Sequence, residues 1–337
     1  MDRHQPLTSS SAPSNPALPL VSIVTPSFNQ AKYLPTTIQS VLLQAYPRIE
    51  YIVMDGGSTD GSVEIIQEYS DAIAYWRSEA DQGQADAINQ GLKMASGEIV
   101  AWINSDDAYL PDAVGQAVKA LNQSPHAGMV YGDGIMVGSE LEVLDRHRYS
   151  QLSLVDLLSF EVLLQPSVFM RKHVLDDVGF LDTSYDLILD HELWVRIASQ
   201  YPIKHVSSYW ALERTHAQAK TITQAEQFVR EAERMIAEAE ASSMLGPIVN
   251  ENWERIFAGL GVFTARRLID AKKHSEALKR ITAAVFRHPM TVARYWYKWV
   301  QAAFSSLGLD PVFMWYRKAR RRLMYHGERI NLEEYQS

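Results

Sequence analysis

Over the first hundred residues, short apolar runs alternate with segments whose apolar residues recur every three or four positions. The run LVSIVTP (20–26) predicts a buried strand ended by Pro26. Leu34, Ile38, Val41, Leu42 and Ala45 then recur at helical spacing up to Tyr46-Pro47, which stops the helix. IEYIVMD (49–55) predicts a second strand, GSVEIIQEY a short helix, AIAYWRSE (72–79) a third strand, 84–95 a helix, and EIVAWIN (98–104) a fourth strand. Alternation of this kind predicts an α/β fold, a mainly parallel sheet with helices on both faces.

In such sheets ligands bind beyond the carboxyl ends of the strands. Those ends read Pro26-Ser27-Phe28-Asn29, Asp55-Gly56-Gly57-Ser58, Glu79-Ala80-Asp81-Gln82-Gly83 and Asn104-Ser105-Asp106-Asp107, all polar or glycine-rich, as the wall of a site would be. Gly56 and Gly57 let a ligand approach the backbone, and Asp55 can accept from a base N–H or a ribose hydroxyl. A plain strand-to-helix turn with Ser58, Thr59 or Asp60 as cap accounts for the same stretch. Asp106 and Asp107 are adjacent carboxylates at the end of an apolar run. A divalent cation bridging a diphosphate would compensate them, since Mg²⁺ typically takes one or two carboxylates plus phosphate oxygens. Capping of the helix that opens near Pro111-Asp112 would equally account for Asp107. Asp86 lies on one helix face with Asn89, where an acid also offsets the helix dipole. Neither a G-x-G-x-x-G loop nor a P-loop lysine is present, which disfavours dinucleotide and P-loop chemistry.

Taken together, PSFN, SVLLQAYPRIEYIVMDGGSTDGS, SEADQGQADAINQGLKMASGEIVAWINSDD, VYGDG (130–134), LQPSVFMRKHVLDDVGFLD (164–182) and LILDHELWVRIA (187–198) resemble glycosyltransferase family 2. The resemblance spans roughly residues 20 to 216. It implies a GT-A fold that binds a nucleotide diphosphate sugar with Mg²⁺ or Mn²⁺ and inverts the anomeric centre in one displacement. It further implies that Pro26, Ser27, Asn29 and the Asp55-Gly56-Gly57 loop hold the nucleoside, with Asp55 on the base, and that Asp81 and Asp86 lie beside nucleotide and sugar. Asn104-Ser105-Asp106 stands where the family has Asp-x-Asp, so Asp106 becomes the metal ligand and Asn104 a departure from the pattern. An amide oxygen still accepts hydrogen bonds but carries no charge. Asp190 matches the catalytic base, with Glu192 as the substitute and Leu189 where an acid often precedes the base. Arg214-Thr215-His216 matches an Arg-x-His whose histidine reaches metal or diphosphate. Trp194 continues the helical spacing of Leu193 and Ile197 and is expected in the core.

Beyond this region the pattern becomes helical, at 225–242 and as two helices within 252–289 joined near His274. The expected organisation is a disordered tail over 1–19, a GT-A domain over 20–220 and a helical extension over 221–337. From Ala271 onward there are 13 Lys and Arg against 5 Asp and Glu, a balance of +8 in a chain of net charge -8. The acidic front disfavours nucleic acid, which needs positive surface. Tyr295, Trp296, Tyr297, Trp299, Trp315 and Tyr316 interleave with the basic residues. That mixture suits peripheral contact with an anionic membrane, a protein partner or a solvated basic face. Zero cysteines remove disulfides and thiolate chemistry, and no apolar run reaches the roughly 20 residues of a spanning helix. The expected protein is an inverting, metal-dependent glycosyltransferase acting on a glycan or lipid-linked acceptor in cell-surface polysaccharide synthesis. It would work in the cytoplasm, at the inner face of the cytoplasmic membrane. A nucleotidyltransferase would need a basic glycine-rich loop that PSFNQ lacks. A non-catalytic sugar-nucleotide-binding or scaffold protein is the alternative that Asn104 and Leu189 suggest.

Overall fold

The computed structural model describes residues 18–215 and 224–331. The expected N-terminal tail up to residue 17 and the metal-ligand candidate His216 lie outside the described residues. The front of the chain forms β1 (Val21–Ser27), α1 (Leu34–Leu42), β2 (Ile49–Asp55), α2 (Ser62–Glu68), β3 (Tyr75–Ser78), α3 (Gln84–Met94) and β4 (Ile99–Trp102). These four strands pair in parallel in the order β3-β2-β1-β4. The chain moves outward from β1 to β3 and then crosses back to place β4 on the other side of β1. The β1/β4 crevice is therefore the switch point at which such sheets bind ligands. Register aligns Ser27 with Asp55 and Asp55 with Ser78, so the polar strand ends lie along one edge.

Beyond β4 come β5 (Ala108–Tyr109), α4 (Ala113–Gln123), β6 (Met129–Val137), β7 (Val143–His147), α5 (Leu154–Leu158), β8 (Val168–Arg171), α6 (Lys172–Val178), α7 (Leu189–Gln200) and β9 (Ile203–Arg214). They extend the sheet to β3-β2-β1-β4-β8-β6-β9-β5, with β7 beside β6. β8 runs antiparallel to both β4 and β6, β5 antiparallel to β9 and β7 antiparallel to β6, while β6 and β9 are parallel. The mainly parallel reading thus holds for the first four strands, and the whole sheet is mixed.

Alternation along the strands sends side chains to two cores. Val21, Ile23 and Ala101 face Ile38, Val41, Val114 and Leu121 on one side. Val24, Val100 and Trp102 face Ile88, Trp194 and Ile197 on the other. Helices α8 (Ala225–Ala241), α9 (Gly246–Glu251) and α10 (Trp253–Asp270) pack on this second side, adding Phe228, Met235, Ile236, Ile256, Leu260 and Phe263 to its core. At roughly 1.5–3 kcal/mol per buried side chain, those residues hold the helices far more firmly than surface ion pairs, worth roughly 0–1 kcal/mol each. Helices α11 (His274–Arg287), α12 (Pro289–Ala293), α13 (Trp296–Ser306) and α14 (Asp310–Tyr325) follow, with Ile281, Ala284 and Ala302 packed against Ala265 and Leu268 of α10.

After α14 the chain returns to the sheet. Val143 N–H donates to the Glu328 carbonyl at 2.9 Å and Ile330 N–H to the Leu141 carbonyl at 3.0 Å. Arg146 pairs with Glu328 at 2.6 Å, and the Tyr325 hydroxyl donates to Asp145 at 3.0 Å. The basic extension is thus fastened at its far end to the β6–β7 hairpin. Among the described residues no helix is long and apolar enough to cross a membrane.

Candidate active site

A cavity of about 2100 Å³ opens over the carboxyl ends of β1, β2 and β4. Of the residues expected there, Pro26, Ser27, Gly56, Gly57, Asp81, Asn104, Ser105, Asp106 and Asp190 line it. Asn29, Asp55 and Asp86 do not, and each has another role. The buried Asp55 carboxylate accepts from Gly57 N–H (3.1 Å), Ser58 N–H (2.8 Å), the Ser58 hydroxyl (2.5 Å) and the Ser78 hydroxyl (2.7 Å). It builds the loop whose glycines face the cavity. Asn29, at φ 53, accepts from Thr59 N–H at 2.9 Å and so ties that loop to the end of β1. Asp86 accepts from Gln82 N–H at 3.1 Å and the Gln90 amide at 2.7 Å, which fixes the start of α3. Asp60 accepts from Ser62 N–H at 3.1 Å in the turn before α2, whose N-cap is Gly61 with no side-chain cap.

Gly56 is required by proximity. A Cβ there would lie 2.6 Å from an Asp81 carboxylate oxygen, while Gly57 adopts φ +84, a region that L side chains avoid. Asp81 itself accepts from Gly83 N–H at 2.8 Å within its own loop, while its carboxylate lies against Gly56 of the second strand end.

The turn after β4 is built around Asp107, which does not cap α4. Helix α4 has no side-chain cap, and Asp107 accepts instead from Arg214 N–H at 2.9 Å and from the Asn104 amide at 3.3 Å. The Arg214 side chain donates to the Asp106 carbonyl (2.8 Å) and the Ser139 carbonyl (2.9 Å), and its guanidinium lies 4.6 Å from the Tyr33 ring centroid. The Thr37 hydroxyl donates to the Asp107 carbonyl at 2.6 Å. Asn104 accepts from the Gln84 amide at 2.8 Å, so its neutral side chain bridges α3 to Asp107. An aspartate there could accept from Gln84 but could not donate to Asp107.

Asp190 sits in the first turn of α7 with its carboxyl half-buried in the cavity wall. The loop that leads into that helix is held by Glu231 of α8, whose buried carboxylate accepts from Asp186 N–H (3.2 Å), Leu187 N–H (2.9 Å) and Ile188 N–H (3.2 Å). Desolvation pushes the Asp190 carboxyl up to about 6, against the pull of the backbone N–H groups of His191 and Asp190 and of the Arg267 charge. Glu192, the substitute, is engaged with Arg196 at 2.6 and 2.8 Å and does not line the cavity. Trp194 is fully buried and stacks on Trp102 at 5.1 Å, as a core residue.

Two residues the sequence reading passed over complete the centre. Glu213, on β9, faces the same cavity, and its carboxyl is pushed up to about 7 by desolvation and by the charges of Asp190 and Asp106. Arg267 comes from α10, where Gly259, Phe263 and Arg267 share a face at four-residue spacing. A Cβ at Gly259 would run into the Ser159 carbonyl, so glycine lets α10 approach closely. Arg267 then rests against the Phe228 and Phe263 rings, 4.2 and 5.1 Å away, and reaches the cavity beside the two carboxylates. The Arg-x-His pattern pointed at this end of β9, and strand alternation could have drawn attention to Glu213. Arg267 had no local signal, because its surroundings come from segments far apart in sequence.

These side chains suit a divalent cation. Burial first, and then the charge of Asp106, raise Asp107, and Asp106 adds to the burial and Asp190 repulsion that raise Glu213; a divalent ion would relieve the repulsion. Among the described residues no three ligating side chains form a complete cage, so a cation here would draw remaining ligands from substrate oxygens, as Mg²⁺ commonly does.

Residues 22–176 match the family description "Glycosyl transferase family 2". An uncharacterised glycosyltransferase of Mycobacterium tuberculosis is 36% identical over 184 residues, covering 53% of this chain and 69% of the relative. The chain belongs to glycosyltransferase family 2. A second glycosyltransferase of this kind, from Rickettsia typhi, is 32% identical over 203 residues, 54% of this chain and 61% of its own length. The fold is GT-A. A mannosyltransferase from Pyrobaculum calidifontis, solved in complex with GDP-Man and Mn²⁺, superposes with a TM-score of 0.59 at 20% identity, covering 89% of each chain. TarS 1-349 of S. aureus in complex with UDP-GlcNAc superposes with a TM-score of 0.50 at 16% identity, covering 82% of this chain and 91% of that one.

Proposed function

We propose that this glycosyltransferase is an inverting hexosyltransferase that moves a sugar from a nucleotide diphosphate donor to a hydroxyl of a glycan or lipid-linked acceptor in surface polysaccharide synthesis. The carrying observation is that Asp190, its carboxyl pushed up to about 6, opens onto the same cavity as the Asn104–Asp107 turn at the sheet's switch point. The donor lies over Pro26, Ser27, Gly56, Gly57 and Asp81, with Asn104 and Ser105 beside the ribose and Asp106 at the diphosphate. Asp55, Asn29 and Asp86 support that surface from behind. A Mg²⁺ or Mn²⁺ ion held by Asp106, with His216 as the further ligand implied by the family, would offset charge on the departing diphosphate.

Asp190 takes the proton of the acceptor hydroxyl while that oxygen attacks the anomeric carbon from the face opposite the diphosphate. One C–O bond forms, the bond to the diphosphate oxygen breaks, and the proton rests on Asp190. A carboxyl near 6 is well matched to this role, since a base works best when its pKa lies close to the operating pH. Rate should therefore rise as pH increases through about 6, as Asp190 ionises. The cytoplasm, at the inner membrane face, suits this reading, because α13 and α14 carry exposed Trp296, Trp315 and Leu323 among their basic residues.

Thermal-shift screening of UDP-, GDP- and dTDP-sugars with and without Mn²⁺, followed by transfer assays, tests the proposal. A donor that stabilises wild type only with Mn²⁺, and fails to do so in Asp106→Ala, is the expected result. Donor binding with no turnover on any acceptor, and none altered by Asp190→Asn, would favour the non-catalytic alternative.

A further inference from the structure

The cavity is larger than a donor needs. At about 2100 Å³ it exceeds the roughly 300–1,000 Å³ of a small-molecule site. Its charge is also divided. The strand-end side carries Asp81, Asp106, Asp107, Asp190 and Glu213 with Arg214 among them, and Glu142, Asp145, Arg148, Glu161 and Asp186 line the space elsewhere. The side built by α10 and the helices after it carries Arg266, Arg294, Lys298, Lys318 and Arg321, with Asp270 as its carboxylate among the described lining residues, while Arg267 stands between the two sides beside Asp190 and Glu213. Arg294 is partly offset by its ion pair with Glu161. The excess positive charge of the wall as a whole remains.

Aromatic rings are set among these cations. The Tyr295 ring has Arg266 at 5.4 Å and Arg294 at 4.8 Å, Lys298 lies 5.8 Å from the Tyr297 ring, and Trp315 is 72% exposed while lining the cavity. Such rings offer flat apolar faces to the C–H side of a pyranose, and their negative faces keep neighbouring cations in place. Sugar-sized platforms interleaved with anion-binding groups are what a phosphorylated glycan requires.

We propose that this wall is the acceptor subsite and that it recognises a sugar acceptor carrying a phosphate group. The inference rests on the transfer reading above and names the acceptor chemistry of that same site. The donor's own diphosphate does not account for the wall, because that group belongs at the Asn104–Asp107 turn across the cavity. Guanidinium and ammonium groups bind phosphate through short charge-assisted hydrogen bonds, so phosphate contributes both affinity and register.

The test is equilibrium binding to the full chain, with the donor site filled by UDP or GDP plus Mn²⁺. The probes are an octyl disaccharide, the same disaccharide bearing one phosphomonoester, and phosphatidylcholine vesicles carrying that disaccharide on a polyprenyl phosphate. The phosphorylated forms should bind on the order of tenfold more tightly than the neutral one. Lys298→Ala/Lys318→Ala should abolish that preference while leaving nucleotide affinity unchanged. Preference for the soluble phosphate probe would assign a water-soluble acceptor, and preference for the vesicle-borne probe a lipid-linked one. Equal binding of neutral and phosphorylated probes, or a preference that survives the double substitution, would overturn the inference. So would equal capture by vesicles of phosphatidylglycerol without sugar. If nucleotide itself does not bind, the transfer reading fails, whereas intact nucleotide binding without phosphate preference removes only the acceptor assignment.

Discussion

Replacing Asp190 by asparagine should make the protein more stable and the enzyme far slower. Burial lifts the Asp190 carboxyl from 3.8 to about 6. At about 1.4 kcal/mol per pH unit, keeping that group ionised inside the fold costs about 3 kcal/mol once the pH is above 6. The sign follows from proton linkage: the folded state holds the proton more tightly than the unfolded chain, so stability declines as pH rises between about 4 and about 6. Asparagine retains an oxygen for the two backbone N–H groups and carries no charge. Urea unfolding should therefore give matching stabilities at pH 4 and a gain of up to about 3 kcal/mol for Asp190→Asn at pH 8. In the same variant, loss of the general base should lower kcat by roughly 10²–10⁴-fold, with donor affinity unchanged. Equal stability of the two proteins at pH 8, or a kcat within tenfold of wild type, would refute the argument.

Asn104→Asp should lower stability without divalent ions by about 1–3 kcal/mol, because it removes the donor to Asp107 and adds a third acid to the turn. Thermal shift should show the loss restored by Mn²⁺, and a loss that Mn²⁺ leaves untouched counts against a cation at Asp106. Gly259→Ala should destabilise by about 1–3 kcal/mol by forcing α10 away from Ser159, and denaturant unfolding with no change in midpoint would contradict the close approach. Trp296→Ser with Leu323→Ser, two exposed side chains that do not line the cavity, should reduce sedimentation with anionic liposomes and spare nucleotide binding. Unchanged sedimentation would remove membrane contact from the reading.

The first four strands and their polar ends were legible because apolar period and strand-ending residues are local signals. β3 is shorter than its apolar run suggested, since Ala72 is still in the turn that follows α2, bonded to the Tyr69 carbonyl at 2.9 Å. The later strands were harder to place, because β8 inserts between β4 and β6 by a crossover that no local pattern announces. At the site, the glycines, Asp81, the Asn104–Asp106 turn and Asp190 came from motif and strand-end position. Asp55 and Asp86 do not line the cavity, because Asp55 is taken up by two loop N–H groups and two hydroxyls and Asp86 by Gln82 N–H and the Gln90 amide. Arg267 beside Glu213, and the hold of Glu231 on the loop before α7, depend on segments that meet only after α8 and α10 have docked. Nothing within a few residues of any of them encodes that meeting.

The clasp between Leu141–Val143 and Glu328–Ile330 also sets an order of events. A pairing across so long a stretch of chain carries a large loop-closure cost until the intervening helices have packed. Domains fold from the N-terminus as synthesis proceeds, so the donor half can form while α14 is still being made. The cationic wall is fastened only once residue 330 has emerged. A chain cut before Glu328 would keep the four-stranded front and lose the fastening of α14 to the β6–β7 hairpin.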